Sequence, residues 1–202
     1  EILNSLINFS IPTSQPNCNA ATGACTIDLT RELPHVASNA NIQGPGFDRL
    51  TVRRETGGEY RILTIKSPAQ LVTISGLTIS NGRTDLAGGA ISMEGGSLTV
   101  NVLSCNITDN YAITYGGGIW NLRGTLNVSD SIISNNLTDG LGNNGQNGGG
   151  GGIAFIGDFS SGVLNVSNTT ISNNTSRRHG GGVMSGLGMR MNITGSRFIS
   201  NI

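Results

Sequence analysis

The stretch "GGGIWNLRGTLNVSDSIISNN" (Gly116 to Asn136) sets glycines, an aliphatic residue, a short β-like triplet and an Asn pair in a row. The same order returns in "GGGIAFIGDFSSGVLNVSNTTISNN" (Gly150 to Asn174) and in "GGGVMSGLGMRMNITGSRFISN" (Gly180 to Asn201). It also precedes, in "GGAISMEGGSLTVNVLSCNITDN" (Gly88 to Asn110). Four copies of one pattern mark a repeat architecture, which has to be read before any local motif.

Three alignments fix the repeat. The aliphatic residues after the glycines (Ile91, Ile119, Ile153, Val183) lie 28, 34 and 30 residues apart. The central triplets begin at Leu98, Leu126, Leu164 and Met191, and the third segment aligns on Ile107, Ile133, Ile171 and Ile199, with Ile79 as an earlier member. In "LNV" the outer residues are apolar and the middle one polar, which is strand alternation; helical spacing is absent. A propeller blade needs four strands in about 40 to 50 residues, too many for this period. The pattern therefore predicts an all-β fold, a parallel β-helix (solenoid) with three short strands per coil of about 28 residues.

The punctuation fits that fold. Glycines before the first strand supply positive φ and let neighbouring coils approach. Asn110, Asn136 and Asn174 stand after the third strand, where Asn tolerates the left-handed corner and where stacked carboxamides form a ladder from coil to coil. The expected inward layers are Ile91/Ile119/Ile153/Val183, Leu98/Leu126/Leu164/Met191 and Val100/Val128/Val166/Ile193. The longest corner, "NNLTDGLGNNGQNGGGGG" (Asn135 to Gly152), reads as a flexible loop and the first place for a partner. Its glycines lack the Lys-Ser/Thr and the helix of a phosphate loop.

Composition narrows the function classes. The 202 residues carry zero formal net charge and only 12% charged residues, so no field exists to attract nucleic acid or cations. Aromatics make up 4%, while the 31 glycines are about twice the usual share of roughly 7%. No apolar run reaches the roughly 18 residues of a membrane span. "EILNSLINFS" lacks the basic start of a signal peptide, and "SRFISNI" stops inside a repeat, so the chain reads as a piece of something longer, with end-to-end self-association of its open coils expected. Cys18 and Cys25, in the loop "QPNCNAATGACT", are either a small disulfide or two free thiols; Cys105 falls at an interior position. His35 and His179 add no zinc-ligand spacing, and neither metal nor cofactor is expected.

The rungs "GGGI…LNV…SIISNN", together with "CTIDLTRELPHVASNANIQGPGFDRLTV" (Cys25 to Val52), resemble bacterial secreted or surface right-handed parallel β-helix proteins of the polymorphic outer-membrane protein and adhesin type. Cys25 to Val52 looks like that family's lead-in to the first full coils. The resemblance covers nearly the whole chain and is specific for fold, not for activity. It implies residues 1–48 as an N-terminal lead-in or capping segment carrying the Cys18/Cys25 loop, residues 49–202 as coils, and an extracellular or cell-surface location.

Parallel β-helices also host polysaccharide lyases and hydrolases, whose glycoside chemistry needs paired carboxylates. Asp85, Glu94, Asp109, Asp130, Asp139 and Asp158 are the candidates; Asp109 and Asp130 fall in turn columns whose next rung holds no second acid. "SRRHGGG" places Arg177, Arg178 and His179 at one corner, suited to an acidic sugar or simply an exposed basic corner. Polygalacturonase-like enzymes carry Gly-His-Gly there, but Arg178 precedes this histidine and the accompanying Asp motifs are absent. Trp120 and Tyr115 flank a glycine run and either stack on a sugar ring or pack over a corner. "RLTVRRETGGEYR" (Arg49 to Arg61) reads as a hairpin-like excursion with surface ion pairs. The nine Asn-x-Ser/Thr sequons, among them Asn127, Asn165 and Asn192, follow from strand composition. An ice-binding face would need a regular Thr column, whereas Thr99, Asn127, Asn165 and Asn192 are mixed. The expected function is a non-catalytic structural or adhesive solenoid with a cell-surface glycan or protein as partner; the alternative is a polysaccharide lyase or hydrolase acting on an acidic glycan.

Overall fold

A computed structural model describes residues 5–141, 148–156 and 162–202. Four parallel sheets, two of seven strands, one of five and one of four, build a solenoid of about 6 turns of roughly 28 residues, and among the described residues there is no helix, hence none able to cross a membrane. Strands are numbered in chain order. Sheet A stacks β1 (Ser5–Asn8), β3 (Ala40–Gln43), β6 (Leu71–Ser75), β10 (Thr99–Leu103), β14 (Thr125–Ser129), β18 (Val163–Ser167) and β22 (Arg190–Thr194). Sheet B stacks β2 (Cys25–Leu29), β4 (Leu50–Arg54), β7 (Thr78–Ser80), β11 (Asn106–Thr108), β15 (Ile132–Ser134), β19 (Thr170–Ser172) and β23 (Arg197–Ile199). Sheet C holds β5 (Leu63–Lys66), β9 (Ile91–Glu94), β13 (Ile119–Asn121), β17 (Ile153–Phe155) and β21 (Val183–Ser185). β1 to β3 already belong to sheets A and B, so the stacking extends into the segment before residue 49.

A fourth side, sheet D, adds to the three strands read from the sequence. It consists of two-residue strands, β8 (Arg83–Thr84), β12 (Tyr111–Ala112), β16 (Leu137–Thr138) and β20 (Thr175–Ser176). Two residues are too few to show an alternation, which is why the pattern concealed them.

The core is a set of columns. Ile91, Ile119, Ile153 and Val183 stand in register in sheet C. In sheet A the expected alignment slips by two. Val100, not Leu98, pairs with Leu126, and Val102, not Val100, pairs with Val128. Leu98, Val100 and Val102 are all buried, and a shift of two residues keeps every side chain on its own face, so apolar alternation alone cannot separate the two registers. In sheet B, Ile79, Ile107, Ile133 and Ile171 align as expected, but Phe198 rather than Ile199 continues the column. Counting back from Asn201, which follows a single serine instead of an Asn, moves the inward position by one. Each fully buried aliphatic side chain contributes about 1.5–3 kcal/mol, and no single coil can hide its own.

The corners explain the glycines and the Asn pairs together. Positive φ falls on Asn81, Asp109, Asn135, Asn173 and Ser200, one residue before the ladder position, and not on Asn110, Asn136 or Asn174. The first residue of the pair makes the turn and the second turns inward. Asn110, Asn136 and Asn174 are almost wholly buried. Each donates Nδ2–H to the next Oδ1 at 2.9 Å, through Asn136 and Asn174 to Asn201. A β-carbon on Gly118 would lie 2.6 Å from the Gly152 carbonyl oxygen and 3.2 Å from the Asn136 carboxamide. The third glycine of the triplet thus leaves the space that the buried Asn fills.

At the N-terminal end, Cys18 and Cys25 are joined by a disulfide. Thr26 N–H donates to Asn17 O and Asn19 N–H to Ala24 O, so the bridged loop runs antiparallel beside the start of β2. That places it over part of the outer edge of sheet B, an edge with pairing groups otherwise open.

Candidate functional site

Sheet D carries a polar corner. Arg83, Tyr111, Leu137 and Thr175 stand in one outward column. Arg83 is held by Glu59 at 2.9 Å and lies over the Tyr111 ring at 4.2 Å. Tyr111 Oη–H donates to Asp139 Oδ2 at 2.7 Å, and Arg177 Nε lies 3.2 Å from Asp139 Oδ1. Burial and then the bond to Asp139 push the Tyr111 phenol above its ordinary pKa, so it stays a donor at neutral pH. Arg83 is raised by its hydrogen bond to Glu59. The result is a chain of alternating charge climbing the corner.

This arrangement bears on the basic triplet. Asp139, Leu141, Arg177 and Arg178 line an open hollow of about 340 Å³. Arg177 is matched by Asp139, whose side chain is only 17% exposed, so the charge that an acidic sugar would seek is already met. Arg178 packs its stem against Gly140. His179 is exposed, and its backbone bridges Gly149, which bridges Tyr115 in turn. Tyr115 and His179 therefore share a corner column two rungs apart, on the order of 10 Å by rung spacing. Trp120 stands in sheet C between Ser92 and Ala154, both fully buried. The two columns are neighbours, since a β-carbon on Gly149 would meet Met184 Sδ, which follows Ala154 in the Trp120 column, at 2.9 Å, while Arg177 turns to Asp139.

The acids are likewise dispersed and engaged. Glu94 accepts from Arg61 Nη1 at 2.9 Å and Ser92 Oγ at 3.0 Å and faces Lys66 Nζ at 3.2 Å. Burial opposes its ionisation, but the hydrogen bonds from Lys66 and Ser92 and the two positive charges outweigh that and hold the carboxyl below its ordinary range. Asp109 accepts from Thr108 Oγ1 at 2.9 Å, and Asp130 accepts from Asn168 Nδ2 at 3.3 Å. Asp85 is exposed. Asp158 and the middle of the long glycine corner (142–147) lie outside the described residues. Among the described residues no three of His, Cys, Asp and Glu gather as a metal-sized cluster.

Two further ladders escaped the sequence reading. Cys105, Ser131, Thr169 and Ser196 form a corner column in which each backbone N–H donates to the next hydroxyl at 3.1–3.3 Å. Cys105 ends this series; burial pushes its thiol up to about 11, and Sγ–H donates to Leu103 O. The second ladder is outside. With the sheet A register corrected, the middle outward column is Thr73, Asn101, Asn127, Asn165 and Asn192. Nδ2–H of each Asn donates to the residue below, at 3.2 Å to Thr73 Oγ1 and at 2.7 Å in the three Asn–Asn steps. The recurring "LNVS" held the signal, and the two-residue slip at Leu98 hid it by setting Thr99 in place of Asn101.

No protein family, curated protein or solved structure matches this chain.

Proposed function

We propose that this chain is part of an extracellular β-solenoid acting as a rod and adhesive surface, without catalysis. The observation that carries the reading is the dispersal of its acids. Each of Glu94, Asp109, Asp130 and Asp139 is bound to its own neighbours, and among the described residues no acid stands at the matching position of the adjoining rung for Asp109, Asp130 or Asp139. Glycoside hydrolysis needs two carboxyl groups facing one bond, and lyase chemistry needs an acid cluster for calcium beside a base. The broad outer faces, by contrast, are uncharged over most of sheet A and regular from rung to rung, the property of a surface that holds a partner along its length. The Cys18–Cys25 disulfide fits an oxidising compartment.

The test is depolymerisation. The chain is incubated with plant, algal and bacterial polysaccharides, with and without calcium, and viscosity and new chain ends are followed. No change is expected across the panel. New ends in any arm would replace this reading with an enzyme and direct attention to Asp139, Arg177 and His179.

A further inference from the structure

We infer that the outer face of sheet A is a binding track for an uncharged, unbranched polysaccharide lying along the stacking axis. This names a ligand for the adhesive surface proposed above and rests on that reading. A carboxamide has two N–H donors and two acceptor lone pairs. In the outer ladder Asn127 and Asn165 each spend one donor and one acceptor on their neighbours, leaving one of each per rung for a ligand. The three Asn–Asn steps have the same length, 2.7 Å, although the residues are 26, 38 and 27 apart in sequence. The comb thus keeps the rung spacing of about 4.8 Å whatever the number of residues between its members.

Two properties select the partner. The bonds all run in one direction, from each Nδ2 to the Oδ1 below, so they polarise one another and fix the amides before a ligand arrives. Such a preset row of alternating donors and acceptors complements a chain of hydroxyls repeating at about the size of one sugar. The second property is charge. From Thr99 through Ser167 the outward positions of this face hold amides, hydroxyls, Leu103 and Val163, with no acid or base; Arg190 appears only on the final rung. An anionic polymer would lose hydration here without gaining a counter-charge, whereas a neutral one gives up no ionic solvation. A protein strand cannot add to this face by its backbone, because side chains and not a sheet edge are presented.

The test uses the full chain in affinity electrophoresis through gels containing linear mannan, neutral xylan, polygalacturonate or alginate. Retardation by a neutral glycan, and not by the acidic ones, is expected. Asn127→Ala with Asn165→Ala is expected to weaken it about tenfold or more, from two lost side-chain partners. Ser129→Glu with Ser167→Glu leaves the ladder intact, adds charge beside it, and is expected to abolish retardation while circular dichroism stays unchanged. Arg177→Ala is expected to have no effect. Neutral-glycan binding that survives both double variants, binding confined to acidic glycans, or no retardation in any gel would each overturn the track. Cell or protein adhesion retained by the chain would then leave the adhesive reading standing, and release of new chain ends in the gel would instead overturn that reading.

Discussion

Replacing Asn136 by Ala isolates the inner ladder. Asn136 is completely buried and makes four side-chain hydrogen bonds. Its Oδ1 accepts from Asn110 N–H at 3.1 Å and Asn110 Nδ2–H at 2.9 Å; its Nδ2 donates to Ile107 O and Asn174 Oδ1, both at 2.9 Å. After truncation Asn110 Nδ2 keeps Ile79 O and Thr108 O, and Asn174 Oδ1 keeps the backbone N–H of residue 136. Among the described residues Asn110 N–H keeps no other acceptor. An orphaned buried donor costs about 1–3 kcal/mol and each of the three other lost bonds about 1 kcal/mol, so the loss is expected near 4–6 kcal/mol. Asn127→Ala is the same chemical change on the outer ladder, where water replaces the lost partners, and its expected cost is under about 1 kcal/mol. Guanidinium unfolding followed by circular dichroism measures both, with amide exchange at Asn110 as the local reading. Equal costs for the two variants, or an Asn136→Ala cost below about 1 kcal/mol, would refute the reasoning.

Other outcomes follow from single environments. Asn121 faces the core between Met93 and Phe155; among the described residues its buried Nδ2 has no partner, while its Oδ1 accepts from Arg123 N–H at 3.0 Å. Asn121→Met removes the orphaned donor and forfeits that one bond, so a net gain of up to about 1 kcal/mol is expected, and a loss in thermal unfolding would show that the amide is satisfied in solution. Glu94, with a folded-state pKa below its ordinary 4.5, stabilises the fold above that value, and the contribution is lost as pH falls through the lower folded value. Glu94→Gln is therefore expected to flatten the acid limb of a urea-midpoint against pH curve, and an unchanged limb would contradict the pairing with Arg61 and Lys66. Reducing Cys18–Cys25, which closes a loop of sequence separation 7, is expected to cost about 2 kcal/mol and to raise amide exchange at Thr26, whereas exchange unchanged there would deny that the loop covers the edge of β2.

Much of the fold is written in the sequence because each coil repeats the same physical demands. The Ile91 and Ile107 columns, the glycine triplets and the Asn pairs each name a place on the rung. What escaped was whatever a periodicity of two cannot resolve. The slip at Leu98 preserved inside and outside while misplacing every outward partner, and so turned four stacked Asn residues into a mixed column. Sheet D was too short to alternate. The sequence does not separate Asn135, which takes the left-handed corner, from Asn136, because adjacent residues of one type share both roles in composition and only the backbone distinguishes them. The candidate site was less legible still. Arg177 and Asp139 are 38 positions apart, and their pairing follows from stacking across a corner whose insertion obscures the period.

The outer comb, the hydroxyl corner and the buried Asn ladder all require one register of sheet A. Paired cysteines read it directly, since adjacent parallel rungs about 4.8 Å apart bring outward positions within disulfide reach while positions two residues out of register are not. Asn127→Cys with Asn165→Cys, under mild oxidation, is expected to give one intramolecular cross-link across 38 residues, detected as a linked peptide by mass spectrometry. Asn127→Cys with Ser167→Cys is expected to give little. Preferred linkage of the second pair would contradict the stack and, with it, the regular face on which the proposed binding depends.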